Sequence, residues 1–226
     1  MTNEQLNKAT IKVSVDKVLD LGKVVFKVVG KERNEELLKM VPHIDYLDLA
    51  IIFYLYFKED ELYGYGETGG LLIQNSFLDY WKVDVNTLMM AAMENTPKHL
   101  GLKIRGIFST IATYLNDDSL MDIAEEEDKA TPLYVATNNS ALYGAGVLIY
   151  KDMLKAMAAK LDSDLFIIPC SVHEIIIGKI MEDCDYSLDS LKEMIWYVNR
   201  HDLLEEDVLS DNLYYYKRST GELGIV

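Results

Sequence analysis

The 226-residue chain is half hydrophobic and carries a formal net charge of −15, a composition that favours a folded domain and excludes an intrinsically disordered chain. Its 37 acidic and 22 basic side chains argue against direct binding to nucleic acid or to an anionic membrane, because both are negatively charged. Two cysteines are too few for a disulfide framework, and the longest apolar run, residues 49–57, has about half the length that spans a bilayer. We therefore expect a soluble cytoplasmic protein.

Strand and helix signals alternate along the first half of the chain. Residues 24–29 are rich in valine and predict a strand, and Asn34 starts a short helix that ends before Pro42. Residues 46–58 and 71–73 predict the two strands of a long hairpin with a glycine-rich connection. Three predicted helices follow, over residues 75–81, 84–97 and 104–115.

The segment over residues 117–129 concentrates negative charge and has the composition of a surface loop or of a poorly ordered helix. It is the place where the chain would divide if it formed more than one unit. We expect either a single domain over residues 1–226 or two closely packed lobes, 1–116 and 130–226, joined by this acidic loop.

The second half of the chain predicts a further set of strands and two helices. Residues 132–137 and 145–150 predict a hairpin, and residues 152–161 predict an amphipathic helix. The remaining predictions are two strand segments over residues 165–177, a helix opened by Ser187 or Asp189, and a tyrosine-rich strand region over residues 208–223. Together these elements predict an α+β fold, with a largely antiparallel or mixed sheet flanked by helices.

Six phrases of the sequence, taken in order, resemble a family of bacterial domain-of-unknown-function proteins that is frequent in gut anaerobes and sometimes lies near mobile elements. The phrases are VVFKVVGKERNEELLKMVPHIDYLDLAIIF, LLIQNSFLDYW, MMAAMENTPK, PLYVATNNSALYGAGVLIY, DLFIIPCSVHEIII and EMIWYVNRHDLLEEDVLSDNLYYY. The resemblance covers Val24 to Arg218, and it leaves out most of the longer amino-terminal helical region of such proteins. It implies an α+β fold and a bacterial intracellular setting, and it assigns no activity and no catalytic residues.

A polar group, Ser171, His173 and Glu174, lies between two apolar runs that predict buried strands. Buried polar groups must form hydrogen bonds, so this cluster is either a structural clasp or a functional site. Taken as nucleophile, base and orienting acid, the three residues would perform serine hydrolysis. On a strand, however, Ser171 and His173 share one face while Glu174 lies on the other, and no G-x-S-x-G turn is present.

His43 stands at the entry to the most apolar predicted strand. In a functional interpretation, His43 and His173 face a common pocket and act as acid–base groups. His43, Asp45, Asp48 and His173, with Glu174, are also residue types that bind metals, but no H-x-x-x-H or C-x-x-C spacing supports a metal site. We expect neither a metal nor a cofactor.

No catalytic pattern outweighs a structural explanation, so the leading hypothesis is a non-enzymatic module that binds or regulates another protein. A second hypothesis is an acidic inhibitor, of mobile-element origin, that occupies the cleft of a basic or nucleic-acid-binding protein through Glu125, Glu126 and Glu127. A third hypothesis is a hydrolase or metal-dependent enzyme, and its candidate residues are His43, Ser171, His173 and Glu174. The identity of the partner and the oligomeric state remain open.

Overall fold

A computed structural model describes residues 19–57, 69–169, 171–180 and 187–226. Cys170, Cys184 and the glycine-rich connection over residues 58–68 lie outside the described residues. Within the described residues, no helix has the length and apolar character needed to cross a membrane. The chain has an α+β fold, as the sequence predicts, and its strands form two antiparallel sheets.

The first sheet has β3, Leu49–Phe57, at its centre. β1, Val24–Gly30, pairs antiparallel with one edge of β3. Along the opposite edge, β2, His43–Tyr46, pairs with the first half of β3, and β4, Gly69–Leu72, pairs with the second half. The pairing of β3 with β4 confirms the predicted long hairpin.

The second sheet contains the other six strands in the order β10-β9-β7-β8-β6-β5, and all its pairs are antiparallel. Its strands are β5, Lys103–Gly106; β6, Leu133–Thr137; β7, Leu165–Ile168; β8, Ile175–Lys179; β9, Tyr214–Lys217; and β10, Glu222–Ile225. The predicted strand pair within residues 165–177 is therefore confirmed as β7 and β8. The tyrosine-rich region ends in a hairpin of β9 and β10, whose turn contains Gly221 at a φ of 74°.

Helices flank the sheets and begin largely where their capping residues predict. They are α1, Glu35–Leu38; α2, Asn75–Trp81; α3, Val85–Leu100; α4, Ile107–Leu115; α5, Met121–Ala130; α6, Met153–Leu161; and α7, Leu188–His201. The side chain of Asp84 accepts a hydrogen bond from the Thr87 amide and caps α3, and Ser187 caps α7 through the Ser190 amide.

The main hydrophobic core joins one face of each sheet. Phe26 and Phe53 from the first sheet and Ile167 and Tyr214 from the second belong to this core, and each is almost fully buried. Two smaller clusters cover the outer faces. In one, α1 packs on the first sheet, and in the other, α7 packs on the second sheet through Leu191 and neighbouring residues. α1 and α7 therefore cover the outer faces of the two sheets, and buried residues of α3 and α6 contribute to the main core.

Residues 145–150 do not form the predicted strand, and the predicted hairpin with residues 132–137 is wrong. They form a 3-10 helix, Gly144–Ile149, whose residues Gly144 to Leu148 are all buried in the core. A short apolar run has the same composition in a buried helix and in a buried strand, so periodicity cannot separate the two.

The helix predicted over residues 104–115 is shorter than expected, because its first residues form β5. Ile104 pairs with Ala136 of β6, and the helix α4 begins only after Gly106. An alternating stretch of three residues before a glycine is too short to show a strand period, so the helical pattern that follows dominates the prediction.

The acidic segment over residues 117–129 is helical rather than a loop. It contains a short 3-10 helix, Asp118–Leu120, and most of α5. Ala124 is buried against α4, and an ion pair of 2.6 Å between Glu126 and Lys129 supports the helix at the i,i+3 spacing. β5 before this segment and β6 after it are neighbours in the second sheet.

Candidate functional site

The polar cluster predicted from the sequence occupies the connection between β7 and β8. Ser171 forms an isolated bridge with Val208, and the Val172 amide donates a hydrogen bond of 2.8 Å to the Asp207 carbonyl. Residues 171–174 therefore lie against the segment that precedes β9, and they are not part of a regular strand.

His173 uses both nitrogens of its ring. Nδ1 accepts a hydrogen bond of 3.2 Å from the Tyr143 amide, and Nε2 lies 3.0 Å from Oδ1 of Asp207. Because the amide can only donate, the proton of the neutral ring is on Nε2, which donates to the Asp207 carboxylate. The His173 and Asp207 side chains are 25% and 28% exposed, so the pair is shielded but not sealed from water.

Further contacts of this cluster fix the loop that leads to the 3-10 helix. The Thr137 hydroxyl donates to the His173 carbonyl at 2.7 Å, and a Cβ on Gly144 would lie 2.0 Å from that hydroxyl. Only glycine fits at this point. Tyr143 has a φ of 51° and its ring lies beside the His173 ring, with centroids 5.5 Å apart. The cluster thus holds Tyr143 in a left-handed conformation that few non-glycine residues adopt.

Ser171 and Glu174 are near His173 but do not complete a Ser-His-acid relay. The Ser171 hydroxyl oxygen accepts from the His173 amide at 3.0 Å rather than contacting the ring. Burial raises the pKa of Glu174, opposed by the nearby His173 and reinforced by Asp207. The carboxylate that contacts the ring is Asp207, 34 residues along the chain, and no local pattern in the sequence identifies it.

His43 lies in β2, in the other sheet, and the structure does not bring it into contact with His173. Its Nδ1 is 3.1 Å from the Val41 carbonyl, and it borders an open pocket together with Lys31, Glu35 and Lys39. The neighbouring Asp45 forms an exposed ion pair of 2.8 Å with Lys31.

Asp48 joins the two sheets. It lies in the tight turn between β2 and β3, and its carboxylate accepts hydrogen bonds from Ser210, at 2.6 Å, and from Asn212, at 2.9 Å. The Tyr214 hydroxyl donates to the same carboxylate. Burial, together with the Asp48 carboxylate, raises the pKa of Tyr214.

The residues predicted from the sequence as candidate metal ligands have different partners in the structure. Asp45 contacts Lys31, Asp48 binds three hydroxyl or amide donors, and His173 contacts Asp207. Among the residues that the structure describes, no group of three or more histidine, cysteine, aspartate or glutamate side chains has the arrangement of a metal site.

The helices α4 and α5 form a helical hairpin with an exposed apolar face. Asp128, near the end of α5, accepts hydrogen bonds from the Phe108 amide, at 2.8 Å, and from the amide and hydroxyl of Ser109 at the start of α4. The two helices therefore run antiparallel, and the start of α5 lies beside the end of α4. We use the term α4–α5 surface for the five large apolar side chains that this hairpin exposes, Ile111, Tyr114, Leu115, Leu120 and Ile123.

Acidic residues border the α4–α5 surface. Tyr114 is 69% exposed and Ile123 is 63% exposed. Glu126 and Glu127 follow Ile123 by three and four residues and thus share its side of α5. Glu125 is also exposed, and all three predicted glutamates lie on this helix.

A comparison with protein families identifies the chain. The match covers residues 3–218. The chain belongs to the DUF5688 family, which is described as a family of unknown function. The matched range includes the resemblance predicted from Val24 to Arg218, and it contains every described strand except β10. No curated protein and no solved structure matches the chain.

Proposed function

We propose that the chain is a protein-binding module and that the α4–α5 surface recognises a basic partner protein. The observation that carries the proposal is the group of exposed apolar side chains on one helical hairpin. Soluble domains expose single apolar residues everywhere, whereas a group of them on one face is typical of an interaction site. Ile111, Tyr114 and Leu115 follow the i, i+3, i+4 spacing and therefore form one stripe along α4.

The charge on α5 indicates the chemistry of the partner. Glu125 and Glu127 are exposed on α5, and the chain as a whole carries a formal charge of −15. A partner with lysine or arginine around an apolar centre would match both features, and opposite charge would accelerate the encounter. A nucleic-acid-binding protein meets this description, so the acidic inhibitor is one specific form of the proposal.

The enzyme built on His43, Ser171, His173 and Glu174 is the competing proposal. Binding is favoured over it because the ring nitrogens of His173 are both engaged by Tyr143 and Asp207, which leaves no free nitrogen for a general base in the neutral ring.

The test uses a labelled basic amphipathic peptide of leucine and lysine, and an acidic counterpart in which glutamate replaces lysine. Fluorescence anisotropy should detect binding of the basic peptide only, and affinity should fall as salt is raised. The double variant Glu125→Gln/Glu127→Gln should weaken binding several-fold, as should Tyr114→Ser. The first variant spares Glu126, which pairs with Lys129 and supports the helix.

A matched control removes the same charge elsewhere. Glu205 and Glu206 are exposed near the end of α7, so Glu205→Gln/Glu206→Gln changes the net charge equally and leaves α5 intact. Equal weakening by both double variants would contradict a site on α5 and indicate general charge attraction. If the basic peptide binds specifically, proteins retained from a bacterial lysate at low salt would be tested for loss of DNA binding, which is the outcome expected of an inhibitor.

A further inference from the structure

A cavity of about 280 Å³ lies on the outer face of the first sheet, away from the α4–α5 surface. Its floor comes from β1, β3 and β4, and its walls come from α1, the end of α3 and the loop before the 3-10 helix. The side chains that matter most are Lys27, Tyr54, Tyr56, Ser140 and Tyr143. The remaining lining is largely apolar and includes leucine and isoleucine side chains.

Lys27 gives this cavity its charge. It lies on β1 opposite Ile52, and its ammonium is 4.0 Å from the centre of the Tyr143 ring and 5.9 Å from that of Tyr54. Among the described residues, no carboxylate forms an ion pair with this ammonium. Burial lowers the pKa of Lys27 below its ordinary value of 10.5. Lys27 is therefore a half-buried cation with aromatic neighbours and with no carboxylate partner among the described residues, and such a group can bind an anion.

The composition of the lining is unusual for so acidic a chain. The described lining has one ammonium and no carboxylate, although acidic residues outnumber basic ones by 37 to 22. Three other surface pockets each include at least one carboxylate, such as Asp152, Asp211 or Glu35. Lys27 is therefore the one charged side chain in the described lining, and its charge favours an anion in this cavity.

The wall formed by Tyr143 is held rigidly. Asn138 is buried, donates to the Leu142 carbonyl at 2.8 Å and accepts from the Ser140 amide at 3.1 Å. At the other end of the loop, the amide of Tyr143 donates to His173. The contact between His173 and Asp207 is thus connected to the cavity, since it fixes the backbone of the residue whose ring covers Lys27. A preformed wall reduces the ordering that a ligand would otherwise require.

The remaining polar groups also suit an acceptor ligand. Burial, reinforced by Tyr143 and Tyr150, raises the pKa of Tyr54, so its phenol is neutral and can donate a hydrogen bond. The aromatic and aliphatic side chains offer contact to the apolar part of a ligand.

We propose that this cavity binds a small organic carboxylate with an apolar body, and that Lys27 is the counter-ion of the carboxylate. Tyr143, Tyr54 and the leucines contact the apolar body. This site is independent of the α4–α5 surface, so each can fail without the other.

The experiment is isothermal titration calorimetry on the full chain with benzoate as the probe. Benzamide has the same ring without the charge, and acetate has the charge without the ring. Benzoate should bind more tightly than both. Lys27→Met should weaken benzoate binding by about tenfold or more, because a charge-assisted contact is lost. Lys155→Met, which removes an exposed lysine from a different pocket, should bind benzoate like the wild-type chain.

A second measurement keeps the proposal testable if Lys27→Met does not fold. In wild-type chain with ¹³C-labelled lysine, benzoate should shift the side-chain resonance of Lys27, assigned with Lys27→Arg, and should leave that of Lys155 unchanged. Equal affinity for benzoate and benzamide, unchanged benzoate binding by a folded Lys27→Met variant, or no effect of benzoate on the Lys27 resonance would overturn the proposal.

Discussion

His173 shows how one side chain can connect distant segments. Its ring accepts a hydrogen bond from the Tyr143 amide and donates one to Asp207. Its backbone carbonyl accepts a hydrogen bond from the Thr137 hydroxyl. The four residues are far apart in the sequence. His173 precedes β8, Tyr143 precedes the 3-10 helix Gly144–Ile149, Asp207 precedes β9 and Thr137 ends β6. The ring is thus a clasp between loops, and removing it should loosen all of them together.

Replacing His173 with leucine should lower the free energy of unfolding by about 1–3 kcal/mol, since the Asp207 carboxylate and the Tyr143 amide would lose a partner. Urea denaturation of the full chain measures this change. His201→Leu is the matched control, because His201 is exposed and its described contacts, a hydrogen bond to a carbonyl and a stacked ring, are with Tyr197 of its own helix. Equal losses in the two variants would show that His173 does not act as a clasp.

The pKa of Glu174 leads to a prediction about pH. Burial raises this pKa above its ordinary value of 4.5, opposed by His173 and reinforced by Asp207. At a pH between the ordinary pKa and the raised pKa, Glu174 is protonated more often in the folded chain than in the unfolded chain. The stability that comes from the protonated Glu174 is therefore lost as pH rises. Glu174→Gln removes that loss.

The stability of Glu174→Gln relative to wild type should therefore increase from about pH 4 to about pH 8, as measured by urea denaturation at each pH. Glu193→Gln, on the exposed side of α7, should show a nearly constant difference across the same range. A constant difference for Glu174→Gln as well would contradict the raised pKa.

Sequence patterns predicted some residues of the polar cluster and did not predict the others. Ser171, His173 and Glu174 were predicted because polar residues interrupt an apolar stretch, and that signal is local. Asp207 and Tyr143 were missed because their contacts with His173 depend on how β7, β8 and the final strands pair. Lys27 was missed for another reason, since a lysine within a strand has the same pattern whether it faces water or a cavity.

At the scale of elements, the start of α4 depends on one carboxylate from its neighbour. α4 has no side-chain cap of its own, and Asp128 of α5 binds the amides of Phe108 and Ser109 in its place. A negative group at this end also interacts favourably with the helix dipole. The two helices of the hairpin should therefore form together.

Asp128→Ala should destabilise the chain by about 1–2 kcal/mol, which is the usual effect of losing a helix cap. Asp122→Ala, at an exposed position in the first turn of α5, should have a smaller effect. Thermal denaturation followed by circular dichroism compares the variants. A larger loss for Asp122→Ala would contradict the role of Asp128.

Element predictions succeeded where a cap or a strand period was present and failed where a run was short. α3 begins after Asp84 and α7 after Ser187, as their caps predict. α3 continues past Pro97 to Leu100, although Pro97 has no N–H to donate to the carbonyl four residues earlier. The 3-10 helix over residues 144–149 was unpredictable from periodicity, because all its central residues are buried.

At the scale of the whole molecule, the contacts shared by the two sheets predict that they unfold as one cooperative unit. Their facing sides form one core, Asp48 of the first sheet binds the segment that leads into β9, and β5 and β6 pair across the acidic segment. We expect the described elements to unfold together rather than as separate lobes.

Calorimetry should therefore record one thermal transition, with a van't Hoff enthalpy equal to the measured enthalpy. Asp48→Ala should lower the transition temperature and leave a single transition. Ser210, Asn212 and Tyr214 would lose their shared acceptor, which should lower the free energy of unfolding by about 1–3 kcal/mol overall. Asp45→Ala, which removes an exposed ion pair in the same hairpin, should have little effect. Two transitions in the wild-type chain would favour lobes 1–116 and 130–226.

The position of β9 has a consequence for the order in which the chain can be built. β9 is near the end of the sequence, yet it lies between β10 and β7 inside the second sheet, and Tyr214 reaches Asp48 across 166 residues. During synthesis at about 5–20 residues per second, the ribosome therefore holds a chain whose first sheet is complete while β7 still has an open edge. An exposed edge of this kind can pair with another chain, so the risk of pairing between nascent chains at β7 lasts until β9 emerges.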